Sequence, residues 1–227
     1  KNEKRRTYCA MVHRLDVNIG KIQAALRENG LADNTMTVFI SDNGGPVDAN
    51  ASINSPFNGQ KGILLEGGMH VPYVVHFPGR IEAGKKYLPM VSSVDFAPTF
   101  LKAAGGSIDE KMKFDGVDLM PFLSEQTNAA PHETLRWKFT ISRAIRDGKW
   151  KLVSVPDRLP MLFNLEEDIS EQNDVALEHL DQTKKMLEDL GQWDVRLPYP
   201  VFLEGAVWKR RQLDLYDKDY QLQQPKP

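Results

Sequence analysis

One cysteine in 227 residues, Cys9, has no partner for an internal disulfide and cannot build a cysteine-rich zinc site. The redox compartment is therefore unread, and Cys9 is expected to be a small core residue. Long apolar runs are also missing, so no membrane span is expected. Neither charge sign dominates: 29 Lys plus Arg face 31 Asp plus Glu, a net charge of -2, which argues against a duplex DNA surface and removes nucleic acid as a partner. No internal repeat is found. The sequence opens at Lys1 without a signal-type apolar stretch, and a helical pattern begins almost at once, as in a piece of something longer. A content of 41% hydrophobic and 26% charged residues excludes disorder and supplies a real core.

Apolar residues Met11, Val12, Leu15, Ile19, Ile22, Ala25 and Leu26 recur at helical spacing over Tyr8 to Asn29, with Gly30 as the stop. A turn leads into Thr35 to Ser41, expected to be a buried strand, and a second such run covers Val71 to Phe77. A helix is predicted over Val94 to Ala104, capped by Ser92 or Ser93. Residues 107–135 read as a connector anchored by Phe114, Leu119, Met120, Phe122 and Leu123. Ser142 to Arg146, Trp150 to Val155 and Met161 to Leu165, split by turn residues, predict an antiparallel meander, closed by a helix over Leu177 to Leu190. The tail, without clear periodicity, is expected to wrap the surface or to meet another chain.

The two apolar strands are joined by residues 42–70, far more than the roughly 2 to 6 usual in α/β units. The loop begins Asp42-Asn43-Gly44-Gly45 at the carboxyl edge of a strand, where open α/β sheets place their sites. An Asp carboxylate beside an Asn carbonyl suits a hard cation, Ca2+ or Mg2+, but the same tetrapeptide also makes ordinary turns. Lys61 lies among glycines that would let its ammonium approach a tetrahedral anion; the alternative is a solvated lysine. Glu66 is expected to brace the loop by accepting backbone N–H bonds. His70 is either a satisfied structural histidine or a residue lining a pocket. His13, His76, His132 and His179 show no ligand spacing.

Taken in order, the motifs resemble the sulfatase family of the alkaline phosphatase superfamily. They are Asp16-Val17-Asn18-Ile19-Gly20, Asp33-Asn34-Thr35, Ser41-Asp42-Asn43-Gly44-Gly45, Lys61-Gly62 with Glu66-Gly67-Gly68, and Val71-Pro72. Asp95-Phe96-Ala97-Pro98-Thr99, Ile145-Arg146-Asp147-Gly148-Lys149-Trp150-Lys151-Leu152 and Leu162-Phe163-Asn164-Leu165 follow. The resemblance implies an α/β fold: part of a doubly wound alkaline-phosphatase-like sheet, then a small antiparallel β-sheet plus helix subdomain. It divides the chain into 1–128 of the α/β catalytic domain, 129–200 of the small subdomain and a tail over 201–227.

The same resemblance implies a sulfuric ester hydrolase acting on a sulfated small molecule or glycan. Asp42 and Asn43 match half of a Ca2+ site, with Mg2+ as the alternative ion. Lys61 matches the lysine on the substrate sulfate, and His70 is taken as a second substrate contact. The family's nucleophile is a formylglycine made from a Cys/Ser-x-Pro/Ala-x-Arg type motif. Cys9 precedes Ala10-Met11-Val12 and is not that residue, and Asn58 stands where an Arg is often found. The chain therefore looks like a carboxyl-terminal half, inactive alone, whose partner is the amino-terminal half. Its compartment by resemblance is extracellular, periplasmic or lysosomal. Two other readings compete: a phosphoryl-transfer relative, whose paired Asp and His zinc ligands are not seen, and a non-catalytic sulfated-glycan binding module.

Overall fold

The computed structural model describes residues 2–198, 201 and 204–219. In chain order the elements are α1 (Glu3–Glu28), β1 (Thr37–Ile40), α2 (Val47–Asn50), α3 (Glu66–Met69), β2 (Tyr73–His76), α4 (Phe96–Ala103), α5 (Met120–Leu123), β3 (Thr134–Phe139), β4 (Ser142–Asp147), β5 (Trp150–Ser154), β6 (Met161–Asn164), α6 (Leu180–Asp194) and α7 (Ala206–Asp214). A single π-helical turn, Leu215–Asp219, continues α7. Contacts divide the chain into two units. One contains the described residues up to Met11, Ser41–Pro72 and the described residues from Thr134 on; the other contains Val12–Ile40 and Tyr73–Glu133.

The first unit is built on a four-stranded antiparallel sheet of order β3-β4-β5-β6. Successive side chains point to opposite faces, and here both faces are covered. Ala144, Val153, Met161 and Phe163 pack with Ile63, Leu64 and Leu65 of the long loop and with Leu215 and Tyr216 beyond α7. Ile145, Leu152 and Leu162, on the other face, meet Met186 and Leu190 of α6. Burial on both sides makes all four residues of β6 inaccessible. Ion pairs fasten the rim: Arg136 to Asp189, Lys138 and Arg143 to Asp194, and Arg158 to Asp217.

In the second unit β1 and β2 pair antiparallel, with Val38 opposite Val75. Asp95, fully buried, accepts the N–H groups of Ser92 and Val117 at 2.8 and 2.9 Å and also holds His132 at 2.8 Å. That one carboxylate closes the short turn Ser93–Asp95 that leads into α4, with Ser92, one of the two expected caps, as its capping residue, and it gathers the following connector around it.

Several expectations are corrected. No described residue of α1 is buried, so Cys9 is exposed rather than in a core, and Met11, Leu15 and Ile22 face outward. The strand over Thr35 to Ser41 shortens to β1 and is only partly covered, with Phe39 exposed; Val74 of β2 is exposed as well. The physical reason is shared: among the described residues no element lies on these apolar faces. Phe114 is exposed rather than buried, whereas Leu119 is buried as expected. β3 begins inside the expected connector and runs through residues 136–139, which no expected element covers, although Leu135, Trp137 and Phe139 alternate with Arg136 and Lys138 as an edge strand should. α6 runs three residues later at its start than predicted and extends to Asp194. The described part of the tail carries α7, with Gln212, Leu215 and Tyr216 buried; residues 199–200, 202–203 and 220–227 lie outside the described residues.

Candidate functional site

Two backbone hydrogen bonds organise the long loop. Ser41 N–H donates to the Pro72 carbonyl at 3.3 Å, and Gly44 N–H donates to the Gly68 carbonyl at 2.9 Å. Between them they set Asp42-Asn43 across from the segment that carries His70. The approach at Gly44 is so close that a Cβ there would lie 1.7 Å from the Gly67 carbonyl oxygen, which explains the glycine of the Asp-Asn-Gly-Gly run. Asn54 locks the turn from the side: its Oδ1 accepts the Gly45 N–H at 3.0 Å, and its Nδ2 donates to the Gly45 and Gly59 carbonyls, both at 2.9 Å.

Asp42 is exposed, and its carboxylate has no protein partner among the described residues. Asn43 donates through Nδ2 to the Gly44 carbonyl at 3.0 Å, which leaves its Oδ1 unpartnered among the described residues. Two neighbouring oxygen acceptors without protein donors fit a hard cation. No group of three or more His, Cys, Asp or Glu side chains able to hold a metal exists among the described residues. Asp42 and Asn43 are thus a partial ligand set.

Lys61 is exposed and without a protein partner among the described residues, while its neighbours on the chain are immobilised. Gln60 is buried and accepts the Asp48 N–H at 3.3 Å, and Ile63-Leu64-Leu65 lie in the core. The Gly62 carbonyl accepts from Gln212 of α7 at 3.2 Å, and Gly62 has φ +100, a conformation that glycine alone adopts readily. Tyr216 Oη accepts the Leu64 N–H at 2.9 Å. A flexible cation therefore projects from a rigid base.

The expectation for Glu66 is overturned in its partners. Its carboxylate binds side chains, taking Lys151 Nζ at 2.8 Å and His70 Nδ1 at 2.8 Å, while its own N–H donates to Glu171 Oε2 at 2.6 Å. Lys151 also lies 2.7 Å from Glu171, as an ion pair rather than an aligned hydrogen bond. The side chains of Lys151 and Glu171 are both 0% exposed. Burial raises the Glu66 pKa, but the charge of Lys151 and the hydrogen bonds from His70 and Lys151 outweigh it, and the group falls from the usual 4.5 to about 2. Burial moves Glu171 the other way, and the nearby Glu66 charge adds to that rise. Phe57 stacks on the His70 ring at 4.3 Å with planes 22° apart.

The fold thus brings Asp42, Asn43 and His70 onto facing segments, with Lys61 on the same loop. Lys151, Glu171 and Phe57 are additional residues of the region. A signal for Lys151 existed, because in a strand it shares a face with the apolar Val153, and a lysine there needs a buried carboxylate. Glu171 and Phe57 gave none.

Two family models match this chain, one described as Sulfatase over residues 1–107 and one as N-sulphoglucosamine sulphohydrolase, C-terminal, over residues 59–193. The chain belongs to the sulfatase family. Curated relatives include the uncharacterized sulfatase YdeN of Escherichia coli, 37% identical over 57% of this chain and 23% of its own length. Arylsulfatase J of Mus musculus is 29% identical over 91% of this chain and 44% of its own length. The chain therefore spans less than half the length of these relatives. Among solved structures, Ps i-CgsB in complex with k-i-k-neocarrahexaose superposes with a TM-score of 0.83 at 31% identity, covering 98% of this chain and 51% of the other. The sulfatase yidJ of Bacteroides fragilis superposes at 0.68 with 27% identity, over 83% of this chain and 41% of that one. The fold is that of the alkaline-phosphatase-like α/β class, with its small antiparallel sheet and helix.

Proposed function

We propose that this chain is the carboxyl-terminal part of a sulfuric ester hydrolase acting on a sulfated carbohydrate or aryl ester. The observation that carries the reading is the facing of Asp42-Asn43 and His70 across the Ser41–Pro72 and Gly44–Gly68 hydrogen bonds, with Lys61 on the same braced loop. These are the residue types that hold a sulfate group: hard oxygen ligands for a cation, a mobile ammonium and an imidazole. The similarity to a protein solved with a neocarrahexaose favours a carbohydrate ester.

Asp42 and Asn43 would hold Ca2+, with Mg2+ as the alternative ion. When bound, the ion supplies positive charge against the sulfate oxygens. Lys61 contributes a second positive charge as anionic character grows in the transition state, and its fixed backbone means that little reorganisation is needed at that moment. His70 contacts the ester through its outward edge. The nucleophile, a formylglycine, and the remaining metal ligands belong to residues outside this sequence. That amino-terminal part would also cover the apolar stripe of α1 at Met11, Leu15 and Ile22. No described helix is long and apolar enough to cross a membrane, and the reading places the protein in an extracellular, periplasmic or lysosomal compartment.

The test is release of inorganic sulfate by the full-length protein from sulfated oligosaccharides and an aryl sulfate, followed by ion chromatography with and without a chelator. Sulfate release that chelation abolishes is the expected result. Binding of the sulfated oligosaccharide without release would mark a glycan-binding module instead.

A further inference from the structure

We propose that Glu66, held in place by Lys151 and Glu171, is a positioning residue that fixes His70 with the proton on Nδ1 and with Nε2 turned outward as a hydrogen-bonding contact for the sulfate ester. The ligand's identity rests on the sulfatase reading; the ring's orientation rests on this chain's geometry alone.

An ionised carboxylate only accepts hydrogen bonds, so the ring nitrogen 2.8 Å from Glu66 Oε2 must carry the proton. Phe57, stacked at 4.3 Å, fixes the plane of the same ring. With Nδ1 tied to a carboxylate that is 5% exposed and one face covered, the 46% exposure of the His70 side chain falls on the other face and the Nε2 edge. Nε2 has no protein partner among the described residues. The segment hydrogen-bonded across from His70 carries Asp42 and Asn43.

The carboxylate is itself constrained from several sides. Lys151 approaches one oxygen at 2.8 Å, Arg146 Nη1 lies 3.9 Å from the other, and Glu171 anchors the Glu66 backbone at 2.6 Å. Glu171 sits at φ +50, an uncommon conformation for a residue other than glycine, in a turn closed by its N–H to the Asp168 carbonyl at 3.1 Å. A buried ion triad is not needed for stability, since apolar side chains of equal volume often serve as well or better. What apolar packing could not supply is a charged oxygen held at the base of an open imidazole.

The experiment uses the full-length protein labelled with 15N-histidine, with the His70 signal assigned through His70→Gln. Long-range 1H–15N spectra, at a pH where the ring is neutral, should show the Nδ1–H tautomer in the wild type and a mixture of tautomers in Glu66→Gln. Glu66→Asp, which keeps the charge on a shorter arm, should restore part of the preference. Lys61→Ala should leave the tautomer unchanged. Inorganic sulfate should shift the Nε2 signal of the wild type and shift that of Glu66→Gln far less. In kinetics, Glu66→Gln and His70→Ala should each lower kcat/KM about tenfold or more, and the double variant should lose little beyond either. An Nε2–H tautomer in the wild type, or one unaltered in Glu66→Gln, overturns the proposal. If Glu66→Gln does not fold, the wild-type tautomer and Phe57→Leu, which keeps the carboxylate but frees the ring plane, still decide it. A protein that releases no sulfate from any ester overturns the sulfatase reading while leaving the tautomer result to stand or fall separately.

Discussion

Lys151 Nζ stands 2.7 Å from one Glu171 carboxylate oxygen with no solvent access to either side chain, so one buried cation ties β5 to the turn that follows β6. Through Glu66 the same ammonium reaches the turn ending at His70. Sheet and site are one electrostatic object.

Replacing Lys151 by Met should therefore destabilise the full-length protein by about 3–5 kcal/mol, because two buried carboxylates would lose the ammonium that lies 2.8 Å from Glu66 and 2.7 Å from Glu171. Chemical denaturation of the two proteins, compared by midpoint at equal slope, measures the effect. A loss under about 1 kcal/mol would mean that water already solvates the triad.

The pH dependence of the same pair of proteins should differ in sign. In the wild type Glu66 is depressed from 4.5 to about 2, so its contribution is complete above pH 4.5 and is lost as the pH falls toward 2. Glu171, shifted upward, contributes in the opposite sense and loses its share as the pH rises. Without Lys151 both carboxyls favour protonation, and acidification should recover stability in Lys151→Met where it erodes the wild type. Melting temperature against pH shows this as a crossing trend; parallel acid limbs would contradict it.

Gly44→Ala should be among the worst single changes in the loop. Its Cβ would meet a carbonyl oxygen at 1.7 Å, which neither a rotamer change nor a flexible side chain relieves. A cost above about 2 kcal/mol, or failure to accumulate folded, is expected, against a few tenths for an ordinary exposed turn glycine. Thermal melts separate the two.

Lys61→Ala should spare folding, because the side chain is exposed and partnerless among the described residues. Turnover should drop about a hundredfold or more, as when one preorganised electrostatic contact to a reacting group is removed. A loss in kcat/KM below roughly threefold, on a substrate the enzyme accepts, would retire the sulfate contact.

Asp42→Ala should lower bound Ca2+ and activity together, since a carboxylate ligand supplies charge that water does not replace. Elemental analysis of the purified protein alongside sulfate release provides the check. Full metal content with full turnover would remove Asp42 from the metal site.

Local signals explain how far the sequence could be read. Turn residues at Asp147-Gly148-Lys149 and Pro156 to Pro160 located β4, β5 and β6, whereas most of β3, residues 136–139, fell between the connector and the meander and was assigned to neither; the carboxylate partners of Arg136 and Lys138, Asp189 and Asp194, lie more than 50 residues away. The helix period found α1 and α6 because apolar spacing marks them whether or not anything covers them. Burial of β1 was over-read, since apolarity records what a strand could cover and not what this chain places upon it. The residue types on which the proposed chemistry rests, Asp42, Asn43, Lys61 and His70, were legible in the sequence. The loop's wiring was not: Glu66 reaches Lys151 across 85 residues, and Glu171 gives its N–H acceptor across 105. No window on the chain spans either.

Leu64 donates its N–H to Tyr216, whose phenol burial pushes up to about 12, and both residues belong to the cluster under the sheet. A surface loop usually breathes on its own, with an opening free energy near zero. Here the segment beside Lys61 cannot open without extracting Ile63, Leu64 and Leu65 from the sheet core, so its amides should exchange as slowly as those of the strands. The ammonium moves, but its pivot does not. On the proposed reading, a substrate of different shape would be met by the lysine's four-carbon arm, since the segment beneath it cannot yield without opening the sheet core.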